Sequence, residues 1–198
     1  MTNVDNMRIV AITGGIGSGK SVVSRLLRNM GFAVYDCDSR AKAIMASVPA
    51  VRQQLIAQFG EQLFVGNQFN PKTLASQVFS DSSLLQKLNS IVHPAVREDL
   101  VAWARTQKGE VCFVETAILH GSGLGKVVNA TWRVTAPEQV RVERVARRSG
   151  LTEAQISGRI KAQQAEETTT RCDLLIVNDG ISPVLPQVMR GITILPCR

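Results

Sequence analysis

Short, almost wholly apolar runs alternate along this chain with segments of helical period. The runs are 9–12 (Ile-Val-Ala-Ile), 33–35 (Ala-Val-Tyr), 111–114 (Val-Cys-Phe-Val), 131–134 (Thr-Trp-Arg-Val) and 174–177 (Leu-Leu-Ile-Val). Runs this brief and this apolar are expected of strands buried on both faces. Between them, segments such as 51–59 and 94–103 carry apolar residues at helical spacing. Alternation of the two kinds predicts an α/β fold, a parallel sheet covered by helices. The gap 39–108 holds too much helical chain for a simple crossover, so it is expected to be an inserted helical substrate subdomain. A second insertion, 137–165, is arginine-rich and broken at Ser149-Gly150; it reads as a helical lid. The core of a single domain spanning 1–198 is thereby assigned to 7–38, 109–136 and 172–198.

Directly after the first run stands Gly14-Gly15-Ile16-Gly17-Ser18-Gly19-Lys20-Ser21, which fits G-x-x-x-x-G-K-[ST] at every fixed position and leads into a helix-like segment, Ser21 to Leu27. A strand before and a helix after are the context this phosphate-binding loop requires. Gly15, Gly17, Ser18 and Gly19 would turn backbone N–H groups onto phosphate oxygens at the positive end of the helix, with Val22 in its first turn. Lys20 would reach the β- and γ-phosphates, and the Ser21 hydroxyl would bind Mg²⁺. The chain is expected to bind a nucleoside triphosphate.

The second run ends in Asp36-Cys37-Asp38, two carboxylates at the strand end where open α/β sheets bind ligands. Such a pair can hold Mg²⁺ through its waters and activate an acceptor hydroxyl, as phosphoryl transfer demands. The bland reading is that one Asp caps the following helix while the other is solvated. The cluster Arg141, Arg144, Arg147 and Arg148 likewise reads either as a phosphate-facing lid or as a solvated helix face supported by the pair Glu143–Arg147. His93 precedes Pro94, so it is expected to end one helix as Pro94 begins the next. Its imidazole is either structural or a general base.

Composition narrows the classes. The 198 residues are 44% hydrophobic, enough for one sizeable core. No stretch approaches the roughly 20 apolar residues of a membrane span, and the first residues lack a signal-peptide layout, so a cytoplasmic location is expected. The net charge of +7 fits nucleic acid, an acidic surface or a polyphosphate ligand. Only 5% of residues are aromatic, which leaves few stacking platforms for single strands. Cys37, Cys112, Cys172 and Cys197 form no C-x-x-C pair and read as free thiols.

In addition to the phosphate loop and Asp36-Cys37-Asp38, the chain carries Leu88 to Pro94 (Leu-Asn-Ser-Ile-Val-His-Pro), Gln139 to Arg148 followed by Gly150-Leu151-Thr152, Arg159-Ile160-Lys161-Ala162-Gln163, and Ile176-Val177-Asn178-Asp179-Gly180. In this order and over nearly the whole chain, these blocks resemble the dephospho-coenzyme A kinases. The resemblance implies transfer of the ATP γ-phosphoryl group to the ribose 3′-hydroxyl of dephospho-coenzyme A, with ATP and Mg²⁺ and with neither nucleic acid nor membrane as partner. It implies Asp38 as the acceptor-activating base, with Asp36 beside Mg²⁺ through water. Arg144 becomes the lid arginine that approaches the phosphates, and Asn178 and Gly180 belong to a loop beside the adenine. His93, Ile118 and Leu119 fall on the substrate side, and Glu115 is a further candidate for Mg²⁺ through water.

One block departs from the family. Where its members commonly carry Pro-Leu-Leu and a later Glu before Ser-Gly, this chain has Ala117 for the proline and Gly121 for the glutamate. The rivals are another small-molecule P-loop kinase, acting on a nucleoside, a nucleoside monophosphate or shikimate, and a nucleotide-dependent switch or nucleic-acid-binding ATPase. Against the last stand the missing Asn-Lys-x-Asp motif and basic charge gathered in the lid rather than along a groove-reading helix.

Overall fold

A computed structural model describes residues 7–78, 81–169 and 172–195; the first six residues and Cys197 lie outside the described residues. In chain order the elements are β1 (Arg8–Thr13), α1 (Lys20–Asn29), β2 (Val34–Asp36), α2 (Cys37–Ser47) and α3 (Pro49–Phe59). A short hairpin, β3 (Phe64–Val65) and β4 (Gln68–Phe69), leads to α4 (Pro71–Val78) and the long helix α5 (Ser82–Thr106). The remainder is β5 (Val111–Glu115), β6 (Ala130–Thr135), α6 (Glu138–Ser149), α7 (Glu153–Thr169), β7 (Leu174–Val177) and α8 (Val184–Ile194). Two compact units result, one formed by the chain up to Tyr35 and from Ala104 onward, the other by Asp36–Trp103.

The first unit is an α/β sandwich on a five-stranded sheet of order β2-β5-β1-β6-β7. All five apolar runs are its strands. β1 lies at the centre, parallel to β5 on one side and β6 on the other, with Ile12 opposite both Glu115 and Trp132. Alternate residues of a strand face opposite sides. Val10 and Ile12 join Phe113, Trp132, Val134 and Ile176 in a cluster with Val23 and Leu27 of α1 and Val188 of α8. Phe113 sits edge-on to Phe32 at 5.4 Å and tilted against Trp132 at 5.1 Å. Ile9 and Ala11, on the other face, are also buried, which is why these strands read as continuous apolar runs rather than alternating ones.

Cys112 lies in this core with no solvent exposure. Burial pushes its thiol from the ordinary 9.0 up to about 11. The folded state thus keeps the proton to higher pH than the unfolded chain, so the contribution is fully present below about pH 9 and is lost as pH rises toward 11. Urea unfolding between about pH 8 and pH 10.5 is expected to show stability falling more steeply in the wild type than in Cys112→Ala, by at most about 1.4 kcal/mol per pH unit. Equal slopes would contradict this. Cys37 is also buried and Cys172 exposed; among the described residues these three cysteines form no disulfide.

The second unit is mainly helical. Its buried residues include Ile44 of α2, Val51, Leu55 and Phe59 of α3, Leu74 of α4, and Val92, Val96 and Leu100 of α5. The structure corrects the expectation that His93 ends a helix: α5 runs unbroken through His93 with Pro94 inside it. Pro94 removes the N–H that would bond back to Ser90, a real local cost. The buried stripe Val92, Val96 and Leu100 recurs every four residues across the proline, and burying it on one face holds both halves to one axis. The hairpin β3–β4 was not anticipated, although its Gly66-Asn67 turn between Val65 and Gln68 is a two-residue hairpin signal. Among the described residues no helix is long and apolar enough to cross a membrane.

Candidate active site

The phosphate loop spans the gap from β1 to the first turn of α1, at the sheet edge where all the strands paired with β1 deliver their C-terminal ends. Gly19 takes the left-handed conformation at φ 96° as N-cap of α1. A side chain there would be strained, and its Cβ would strike the amide nitrogen of Asn178. Asn178 explains this close approach. Its Nδ2 donates to the Ser18 carbonyl at 2.9 Å, and its own backbone N–H donates to Thr135 at 2.8 Å, continuing the β6–β7 ladder. The loop after β7 is thereby fastened to the loop after β1.

Lys20 folds over its own loop, donating from Nζ to the carbonyls of Gly14 at 2.7 Å and Gly15 at 3.3 Å. Its ammonium is thus carried at the mouth of the backbone cradle. Ser18 is almost fully buried, and its Oγ has no hydrogen-bond partner among the described residues. Ser21 is exposed in the first turn of α1 and Val22 half-buried. Glu115 closes β5 at the register position opposite Ile12, one residue before the loop's own strand ends. Among the described residues no group of three acidic, His or Cys side chains stands ready to hold a metal. Mg²⁺ bound with a nucleotide takes most of its ligands from phosphate and water, so a hydroxyl at the helix start and a carboxylate on the neighbouring strand suit it.

The four arginines of α6 divide. Arg141 is buried and donates from Nε to the Ile16 carbonyl at 2.9 Å. Arg144 grips Asn178, donating from Nη1 to its carbonyl at 2.8 Å and from Nη2 to Oδ1 at 3.4 Å. Arg147 and Arg148 are exposed, and Arg147 meets Glu143 at 3.9 Å. The solvated-face reading therefore describes only the outer pair. Burial of Arg141 beside Val142 and Val145 marks the inner face, and that apolar stripe was the signal in the sequence. A carbonyl accepting from a guanidinium is a charge-assisted bond, stronger than a neutral one.

Asp179 and Gly180 complete the loop after β7. The Asp179 carboxylate accepts from the N–H groups of Ser182 at 2.7 Å and Ile181 at 2.9 Å, and from Ser182 Oγ at 3.0 Å. Those backbone hydrogen bonds, Ser182 foremost, hold its pKa below the ordinary value. Gly180 follows at φ 90°. Ile118 is exposed while Leu119 is buried, and the turn holding them is braced by Thr116 Oγ1, which accepts from the Ile118 N–H at 3.1 Å. This is the segment containing Ala117 and Gly121.

In the second unit, Asp36 is the N-cap of α2. Its Oδ1 accepts from the N–H groups of Asp38 at 3.0 Å and Ser39 at 3.2 Å, and its Oδ2 from Ser39 Oγ at 2.9 Å. Asp38 is exposed in the first turn, where a carboxylate is favoured by the helix dipole. His93 is half-buried midway along α5. Arg40 and Asp99 form a two-point ion pair at 2.6 and 2.9 Å.

The profile of the dephospho-CoA kinase family matches residues 8–183. A dephospho-CoA kinase of Bacteroides fragilis is 39% identical over 188 residues, covering 94% of this chain and 92% of its own. A solved structure from Thermus thermophilus superposes with a TM-score of 0.79 at 33% identity, covering 96% of each chain. The shikimate kinase of Bacteroides thetaiotaomicron reaches a TM-score of 0.58 over 96% of this chain and 98% of its own, at 12% identity, and so shares the fold alone.

Proposed function

The chain belongs to the dephospho-CoA kinase family, and from that premise we propose that it transfers the ATP γ-phosphoryl group to the ribose 3′-hydroxyl of dephospho-CoA. The observation that carries the reading is the family match from 8 to 183, which includes the phosphate loop and the loop after β7 that is fastened to it. The backbone of Gly15, Gly17, Ser18 and Gly19, with Val22 behind it, cradles the phosphates, and Lys20 neutralises them. Asn178 and Gly180 flank the adenine. Ser21 directly, and Asp36 and Glu115 through water, would hold Mg²⁺; when bound, the ion neutralises charge on the triphosphate. Of the lone pairs on Asp36, those taken by the α2 cap are spent, which suits an outer role.

By its position in the family motif, Asp38 is the base that draws the proton from the acceptor hydroxyl. By the same family resemblance, His93, Ile118 and Leu119 are the substrate-side residues. The segment 137–165 is the lid, and cytoplasm is the compartment; neither nucleic acid nor membrane is a partner. ADP release measured with dephospho-CoA, nucleoside monophosphates, nucleosides and shikimate as acceptors tests the whole reading. Turnover confined to any acceptor but the first would overturn it.

Arg144 is the proposed catalytic arginine of the lid, exchanging Asn178 for phosphate oxygens as charge develops on the transferring group. Arg144→Ala is expected to lower kcat by roughly 10²- to 10³-fold and to change the KM for dephospho-CoA little, because the contact strengthens in the transition state. Arg147→Ala, removing an exposed charge from the same helix, is expected to stay near wild-type activity. Equal small effects would reduce the cluster to surface charge.

A further inference from the structure

We propose that Arg141 and Gln163 are positioning residues that clamp Ile16 and so set the shape of the phosphate loop before a nucleotide arrives. The motif leaves Ile16 free to be any residue, yet both of its backbone polar groups are taken by side chains of the α6–α7 pair. Its N–H donates to Gln163 Oε1 at 2.7 Å, and its carbonyl accepts from Arg141 Nε at 2.9 Å. Its side chain packs on the apolar cluster of Val142, Val145, Ile156 and Ile160 that joins the two helices. One loop residue is therefore held at three points by two helices.

Gly17 shows how closely α6 lies on the loop. At φ 78°, a Cβ there would stand 2.7 Å from the Arg141 carbonyl oxygen, so only glycine fits both the conformation and the space. With the polar groups of Ile16 turned outward to the helices and the Ser18 N–H turned back to the Gly15 carbonyl at 3.2 Å, the Gly17 and Gly19 amides are the ones left for phosphate, which is the arrangement an anion cradle needs. A loop ordered in advance spends less of its binding free energy on ordering. The α6–α7 pair is then the backing of the loop, and any movement of the lid is transmitted to the cradle through Ile16. This inference rests on the nucleotide-binding reading of the loop, and it adds residues that the motif does not include.

Gln163 is half-exposed on α7, so Gln163→Met keeps its length and packing while removing the acceptor. Two readouts decide: ATP affinity by calorimetry, and amide hydrogen exchange over 14–19 without nucleotide. The variant is expected to exchange faster there, with β1 and α8 unchanged, and to bind ATP roughly 3- to 10-fold more weakly, the range of one ordinary hydrogen bond. The KM for ATP should rise by the same factor while kcat and the KM for dephospho-CoA hold, as for uniform binding lost. Wild-type exchange, whether affinity falls or not, would overturn the clamp. Should Gln163→Met fold poorly, Arg141→Met read in the same two ways decides on the carbonyl side. Wild-type protein that binds ATP but never phosphorylates dephospho-CoA would sink the functional assignment and leave the clamp standing, since neither readout uses the acceptor.

Discussion

Lys20→Ala is expected to remove phosphoryl transfer almost entirely, by at least about 10²- to 10³-fold, the loss typical of one donor aimed at developing negative charge. The lysine is a compact charge on a flexible stem, and it already rests over the loop carbonyls of Gly14 and Gly15. Swinging from those carbonyls to phosphate oxygens requires only rotation about the side chain. Its stem is no part of the central apolar cluster, so the fold should survive. Thermal unfolding should therefore change little while single-turnover release of ADP stops. A well-folded variant that keeps most of its activity would remove Lys20 from the chemistry and with it the central role of the loop.

Asp38→Asn should lower kcat by roughly 10²- to 10⁴-fold, the contribution of a positioned base, while the KM for ATP moves far less. Asparagine keeps the size of the side chain and loses only the proton acceptor. The companion substitution separates the two carboxylates. Asp36 caps α2 through the N–H groups of Asp38 and Ser39, and asparagine caps about as well as aspartate. Asp36→Asn thus leaves α2 standing and isolates the effect of its charge, expected to be the smaller of the two. If Asp36→Asn proves crippling and Asp38→Asn mild, the base has been assigned to the wrong residue.

Much of this was legible along the chain because its determinants are local. Five apolar runs became five strands, since a strand buried on both faces must be apolar at every position. The phosphate loop was equally plain, because strand, glycines, lysine and helix follow one another within a single turn of chain. Even the end of α6 at Ser149 was marked by Gly150, which adopts the left-handed C-cap.

Other features were not settled by local signals alone. Pro94 argues for a helix end by its own chemistry, and only burial of Val92, Val96 and Leu100 on one face keeps α5 whole. Arg141, Arg144 and Arg147 are alike in sequence and lie within two helical turns. Arg141 is bound to a carbonyl 125 residues away and Arg144 to a residue 34 away, while Arg147 faces solvent. The Gln163–Ile16 bond spans 147 residues. Period, caps and motif spacing are settled by neighbours in the chain, so the sequence alone determined the sheet, the loop and the family. Which arginine is buried, and what holds Ile16, depend on where packing brings distant backbone groups, because a buried donor or acceptor must find its partner wherever the fold places one.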